Sequence, residues 1–468
     1  MWETKLRALL EQNSDIVFRK IEIHDEIMIL VYIEGLVNDV YVQEQIIPSL
    51  FHEARFDTVP KHALDELEQA LEALFNGSVL VLTNQSEFAY PLSGEGIQNR
   101  SIVEPTSEHT LRGPRDGFVE SISTNLSLIR RRYPDTRLQV RISRIGTHSK
   151  TKVALVYVDG IVNPEILKEV EQRIKSIQID ELLDSGTIEQ WIEDSWYSPF
   201  PQVQYTEQPV RVVSAIAEGR IAIVVDGTPI VLMVPLTFSM LFQAMDDYSE
   251  RWLVGSAIRV IRIIGSVIAL ILPGLYIALL SYHPGMIPTQ LTLSIAASRA
   301  DAPFPAFVEA LLMEATLELL REAGLRLPGF IGQTIGIVGG LVIGQAAVEA
   351  GIVSPIMVIV VALTAICSFM IPSYNGAIAI RLLRFPLMVF VSVLGLLGLI
   401  LGVMIIIAHL ISLKSFGVNY LSPFAPFHTA DWKDSVIRAP LPLLKKRPSV
   451  LKPLKEQRLK LDQRKKGW

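Results

Sequence analysis

Between residues 253 and 413 the apolar runs are too long, and the charges too sparse, for water to be the only solvent of this chain. A helix rises about 1.5 Å per residue, so crossing a bilayer core takes roughly 20 apolar residues. Four stretches meet that length: 258–280, 330–350, 352–371 and 385–413. The last is long enough to tilt, or to break near Gly398. Arg259 and Arg262, at the start of the first, are expected to snorkel to the interface. Residues 1–250 instead carry charges every few positions, as in a water-soluble protein. The mean hydropathy of +0.37 and the net charge of −5 are therefore averages over unlike parts. The fold class this predicts is a soluble α/β N-terminal region followed by an all-α polytopic membrane domain.

Two segments of the apolar part are unusual. Residues 281–305 hold four prolines around the short apolar stretch 287–297, which reads as re-entrant or interfacial. Residues 305–325 come next as a helix too acidic to face lipid. Glu314, Glu318, Arg321 and Glu322 share one face at 100° per residue, and Glu309 falls on the other side. Two readings stand: an interfacial helix with its acids in water, or an acidic vestibule for ions built from Glu309, Glu314, Glu318 and Glu322.

In the stretch 330–350, Gly332, Gly336, Gly340 and Gly344 recur at every fourth position, a stripe that admits a neighbouring helix backbone. Thr334, Val338, Val342, Gln345 and Glu349 occupy a different face, with three polar side chains at membrane depth. Packing inside one subunit explains the stripe. So does packing against a symmetry mate, with the polar face lining a pore.

The soluble part repeats itself. Residues 28–38 read MILVYIEGLVN and residues 153–163 read VALVYVDGIVN. Each is a buried strand, a Gly turn and an Asn that opens the next element. Helical patterns succeed both copies, at 42–53 and 63–75, then at 164–177 and 187–196. Strands return at 77–82 and 219–225, the second continuing through Asp226-Gly227 into a hairpin with 229–234. This predicts two related α/β subdomains, 1–105 and 106–235, a helical domain at 236–415 and a basic tail at 416–468. A Gly/Pro turn at 112–118 leads into a helix ending in Arg130, Arg131 and Arg132, read as a solvated face or a contact to an acidic neighbour.

Chemistry is not signalled. There is no Walker loop, GxGxxG, HExxH or GxSxG, and the eight His residues lack metal-ligand spacing. We expect no enzyme activity, cofactor, metal or nucleic-acid partner. Glu34 and Asp159 fill the same position of the repeat and are read as fixing its turn. The single Cys367 excludes an intrachain disulfide and suits a reducing compartment. The N-terminal MWETKLRALLEQNSDIVFRK does not read as a signal peptide, so the soluble region is expected in the cytoplasm. The tail from Arg438 to Lys466 holds eleven basic residues, which the positive-inside rule also puts there. Both ends inside require an even number of crossings. Four leaves Arg381 and Arg384 in an outer loop; six, with 287–297 crossing and 385–413 divided, relieves that conflict.

Long motifs then carry a resemblance. RGPRDGFVESISTNLSLIRRR (112–132), VYVDGIVNPEIL (156–167), HPGMIPTQLTLSIAASRADAPFPAFVEALLMEATLELLREAGLRLP (283–328) and GQTIGIVGGLVIGQAAVEAGIVSP (332–355) resemble the A subunits of GerA-type spore germinant receptors. The resemblance runs over nearly the whole chain. It implies residence in the inner membrane of dormant spores, beside a transporter-like B subunit that binds the nutrient and a lipoprotein C subunit. It also implies a self-associating ring that acts as a nutrient-gated cation channel. The rival is a non-conducting scaffold for the B and C subunits. A secondary transporter would need paired broken helices in two equivalent halves, and only one Pro-interrupted segment is present.

Overall fold

The computed structural model describes residues 2–10, 12–23, 26–52, 63–83, 88–94, 104–105, 108, 112–300, 302–327, 339–340 and 342–458. Its N-terminal half holds two antiparallel sheets. The first has the order β1 (Ile16–Ile23), β2 (Glu26–Ile33), β3 (Ser78–Thr83), β4 (Ala89–Ser93). In the second, β5 (Leu138–Ile145), β6 (Thr151–Val158), β8 (Ile221–Val225) and β9 (Val231–Val234) lie in that order, with β7 (Gln204–Thr206) on the far edge. Helices α1 (Trp2–Leu10) and α2 (Leu67–Phe75) accompany the first sheet. Helices α3 (Ile122–Arg132), α4 (Pro164–Ser176), α5 (Ser185–Ile192) and α6 (Pro209–Glu218) accompany the second.

The repeated strands are β2 and β6. Side chains alternate across a strand, so an uninterrupted apolar run means that both faces are covered. In β2, Ile29, Val31 and Ile33 join a core with α1 and α2, while Met28, Leu30 and Tyr32 join Val42, Ile46 and Leu50 on the opposite face. In β6, Val153, Leu155 and Tyr157 pack with α4 and α5, while Ala154, Val156 and Val158 pack with α3 and α6. Both strands end in the same turn. Gly35 and Gly160 have φ of 85° and 72°, a left-handed backbone that costs a side chain energy. Asn38 and Asn163 then cap the next helix, accepting from Val40 N at 3.0 Å and Glu165 N at 3.0 Å.

Strands β1, β4, β5 and β7 were not apparent from the apolar pattern. Of the three terminal arginines of α3, Arg130 is buried. Its guanidinium grips Asp15 at 2.8 and 2.9 Å, Asn13 at 2.7 Å and the Leu138 carbonyl at 2.9 Å, tying the second sheet to the loop before β1. The boundary expected at 105–106 adjoins residues 106–107, outside the described set.

The C-terminal half is helical: α7 (Trp252–Ser281), α8 (Thr289–Ser298), α9 (Ala306–Arg326), α10 (Pro355–Phe369), α11 (Tyr374–Leu394) and α12 (Leu396–Ser412). Residues 342–349 are helical too. Helices α7 and α11 are long and apolar enough to cross a membrane; α10 and α12 are apolar but shorter. One expectation is met here and one corrected. The run 385–413 divides at Gly395, three residues from Gly398. There φ is 59° and ψ is −137°, a conformation open to glycine, and a Cβ would lie 2.8 Å from the Tyr282 ring. Arg381 and Arg384 lie inside α11, not in a loop, and are buried.

The basic tail is no free extension over its described part. After a two-stranded hairpin at 414–419, Phe416, Val418 and Leu451 enter the core of the second sheet. Each such burial contributes about 1.5–3 kcal/mol. Arg447 Nε donates to the Ala217 carbonyl at 2.7 Å. Leu451 stands among basic residues that hide it, whereas Phe416 and Val418 lie in a stretch, 415–432, that holds no Lys or Arg.

Candidate functional site

Two ionic centres and one uncovered helix face stand out in the helical half. The first centre lies where the soluble half meets α7. Arg259 and Arg262 stand one turn apart and share Asp247: Arg259 Nε donates to Oδ2 at 3.2 Å and Arg262 Nη1 to Oδ1 at 2.7 Å. Arg259 also pairs with Asp434 Oδ1 at 3.1 Å, a residue of the returning C-terminal segment. Tyr248 donates its hydroxyl to the same carboxylate at 3.0 and 3.1 Å. Arg438 donates to the carbonyls of Glu250 and Tyr248, and its backbone is bonded to Ser256 Oγ.

Two carboxylates thus meet two guanidinium groups, and three separate chain segments are held together. Burial pushes the Asp434 carboxyl above its ordinary range, with Arg259 opposing it; burial also raises the Tyr248 phenol. The expected snorkelling of Arg259 and Arg262 is corrected: both are consumed by this junction. The signal available in the sequence was the acid pair Asp246-Asp247 shortly before the two arginines. The partner Asp434, 175 residues beyond Arg259, had none.

The second centre is inside the helices. Glu309 is fully buried and accepts from Arg299 Nη2 at 2.8 Å and from Ser354 N at 3.2 Å, at the start of α10. Glu314 pairs with Arg384, both buried. Arg381 approaches the half-exposed Glu318 at 3.5 Å. Glu322 is bonded to Arg326 on the same helix. The four acids of the expected vestibule are therefore each matched by an arginine within the protomer, and the α11 arginines were the missing half of the pattern. The match is incomplete. Nε and Nη2 of Arg384, Nε and Nη1 of Arg381, and Oε1 of Glu314 lack a hydrogen-bond partner among the described residues.

The third feature is the helical stretch 342–349. Gly332, Thr334, Gly336 and Val338 lie outside the described residues. Val342 is 54% exposed, and Gln345 and Glu349 are exposed beside it. The glycines divide. A Cβ on Gly344 would sit 3.6 Å from Val358 of α10, so this glycine faces its own bundle. A Cβ on Gly340 would meet no described atom within 4 Å. Among the described residues, no group of three or more His, Cys, Asp or Glu side chains could hold a metal ion.

A sequence profile of the Bacillus/Clostridium GerA spore germination proteins matches residues 4–450. The chain is 42% identical to spore germination protein KA of Bacillus subtilis (strain 168) over 471 residues, covering 97% of this chain and 86% of that one. With spore germination protein A1 of the same organism the identity is 46% over 387 residues, 83% and 80% of the two chains. Among solved structures, the N-terminal domain of the A subunit of the Bacillus megaterium spore germinant receptor GerK3 is 31% identical, with a TM-score of 0.39 over 50% of this chain and 94% of that one.

Proposed function

The chain belongs to the Bacillus/Clostridium GerA family of spore germination proteins, and from that premise we propose that it is the A subunit of a nutrient germinant receptor in the spore inner membrane. In this reading it works with a transporter-like B subunit and a lipoprotein C subunit, its soluble half and C-terminal segment facing the cytoplasm. Copies of the chain form a ring and conduct cations when nutrient is sensed.

The observation that supports a channel is the uncovered face of residues 342–349. Val342, Gln345 and Glu349 are exposed on the outside of the bundle. Polar groups at that depth require protein or water. A ring of copies supplies both, with Val342 as an apolar constriction that gates by dewetting and Glu349 as an acidic ring that favours cations. Thr334 and Val338, read from the sequence as part of the same face, lie outside the described residues and belong to this reading as sequence expectations. The acids of α9, matched in the protomer, contribute to a vestibule only through Glu318 and Glu322, the two with exposed carboxylates.

Spores carrying Val342→Ala test the reading. A smaller side chain widens the constriction, so these spores are expected to hold normal amounts of the protein by immunoblot and to germinate without nutrient. Normal protein with full dormancy and unchanged nutrient sensitivity removes this helix as the gate and leaves the scaffold reading.

A further inference from the structure

Between α5 and β7 the chain makes a short loop that displays two aromatic rings outward. Trp196 is 88% exposed and Tyr197 71%. Their rings stand edge to face, 6.1 Å apart. The loop is built, not slack. The amide of Gln202, a fully buried residue, clamps its base, accepting from Ser195 N at 2.8 Å and donating to the Ser195 carbonyl at 2.8 Å. Ser198 Oγ accepts from Phe200 N at 3.2 Å and is hydrogen-bonded to His409 Nε2 at 2.9 Å. A rigid loop that spends this much bonding to hold a Trp and a Tyr away from its own core has a use for them.

The surroundings of the loop fix the level at which it sits. His409 lies in the last turn of the apolar helix α12, with Tyr197 and Phe200 each 6.3 Å from its ring. On that helix Met404, Ile407 and Ile411 remain exposed, so its outer apolar face runs to its final turn. Immediately beyond it, Lys414 is exposed. The aromatic pair therefore stands beside the point where an apolar, outward-facing helix gives way to polar chain. Trp and Tyr concentrate at that depth of a bilayer, their rings among the glycerol groups and their N–H and O–H in water.

We infer that the Trp196–Tyr197 loop is a lipid-interface anchor: the second α/β unit dips this edge into the headgroup layer of the membrane that α12 enters. The soluble half is then fastened to the bilayer at a point separate from the Arg259 junction, which fixes its tilt as well as its attachment.

The test uses full-length protein in phosphatidylcholine–phosphatidylglycerol vesicles, and the emission of Trp196 is taken as the difference between the parent and Trp196→Phe. Three quenchers are compared: lipid brominated near the glycerol end, lipid brominated near the chain ends, and aqueous iodide. Most of the Trp196 emission is expected to be lost with the first lipid, little with the second and little with iodide. Quenching by iodide and by neither lipid places the loop in water and overturns the inference. Quenching by none of the three shows a protein partner over the loop, a second copy or another subunit, and overturns it equally. Trp196→Phe keeps an aromatic ring on an exposed site, so the subtraction does not depend on a damaged fold.

Discussion

The two ionic centres of the helical half are built from the same side chains and end differently. At the Arg259 junction two carboxylates serve two guanidinium groups, and carbonyls take up much of the remaining hydrogen bonding. In the α9–α11 cluster Arg384 and Glu314 meet, yet both guanidinium nitrogens that point elsewhere stay unmatched, as does one carboxylate oxygen. The first centre joins segments far apart in sequence and gives Arg259, Arg262, Asp247 and Asp434 each an opposite charge, because an unpaired buried charge is costly. Arg259 Nη2 and Arg438 Nε lack a hydrogen-bond partner among the described residues. The second sits among helices that also leave Val342, Gln345 and Glu349 uncovered. The seam leaves one guanidinium nitrogen of Arg259 unmatched among the described residues, whereas Arg381 and Arg384 leave two each and Glu314 one oxygen.

Asp247→Ala strikes that contrast hardest. It removes the only carboxylate that Arg262 meets among the described residues and leaves Arg259 with Asp434 alone, and removing one partner of such a buried network costs about 3–5 kcal/mol. Detergent-solubilised protein is expected to melt at markedly lower temperature, with protease cleavage appearing in residues 236–251, where the soluble half joins α7. Asp434→Asn should cost less, since Arg259 keeps Asp247 and the Asp434 carbonyl. A melting temperature unchanged in Asp247→Ala would mean that the junction holds nothing together.

The bundle pair calls for a cycle. Arg384→Met alone leaves Glu314 buried and unpaired, and Glu314→Leu alone does the same to Arg384. Either is expected to destabilise by about 3 kcal/mol, and the double variant to recover most of that loss, because well-packed apolar residues replace buried ion pairs at little cost. Thermal melts of the four proteins read the coupling. Strictly additive losses would show that the two residues act independently, and the contrast with the seam would fail.

How much of this fold is legible in the sequence depends on the range of each interaction. Strands β2 and β6, their Gly35 and Gly160 turns and the helices after them are local patterns, and all were legible. So was the helical half as a whole. Strand β7, three residues long, carried no period to detect. The pairing of Arg384 with Glu314 spans 70 residues and that of Arg259 with Asp434 spans 175. Charges at such separations look alike whether solvated or paired, so the acids of α9 read as a free face and the arginines of α11 as a loop. The folded-back C-terminal segment was hidden for a related reason: Phe416 and Val418 stand more than 30 residues from Leu451, and no period links the three apolar anchors.

The smallest expected effect on the protomer is also the sharpest test of what the helical half leaves open. A Cβ at Gly340 would meet no described atom of its own chain within 4 Å. Gly340→Leu therefore places its Cβ in open space among the described residues, and Leu improves on Gly in a helix by somewhat under 1 kcal/mol. Considered alone, the variant is expected to melt at the same temperature as the parent or slightly higher. If Gly340 instead forms the surface on which a neighbouring copy packs, a leucine holds the two backbones apart, and helix association without a small residue at the contact fails. Light scattering of the detergent-solubilised protein reads the outcome. The expected result is a parent that self-associates and a Gly340→Leu protein of monomer mass with an undiminished melt. Gly344→Leu serves as the control, because its side chain would run into Val358 and lower the melt of the protomer itself. If Gly340→Leu behaves like that control, the glycine packs inside one chain and the helical half is as self-contained as the seam. If Gly340→Leu associates like the parent, the neighbouring copies meet on some other face of the bundle.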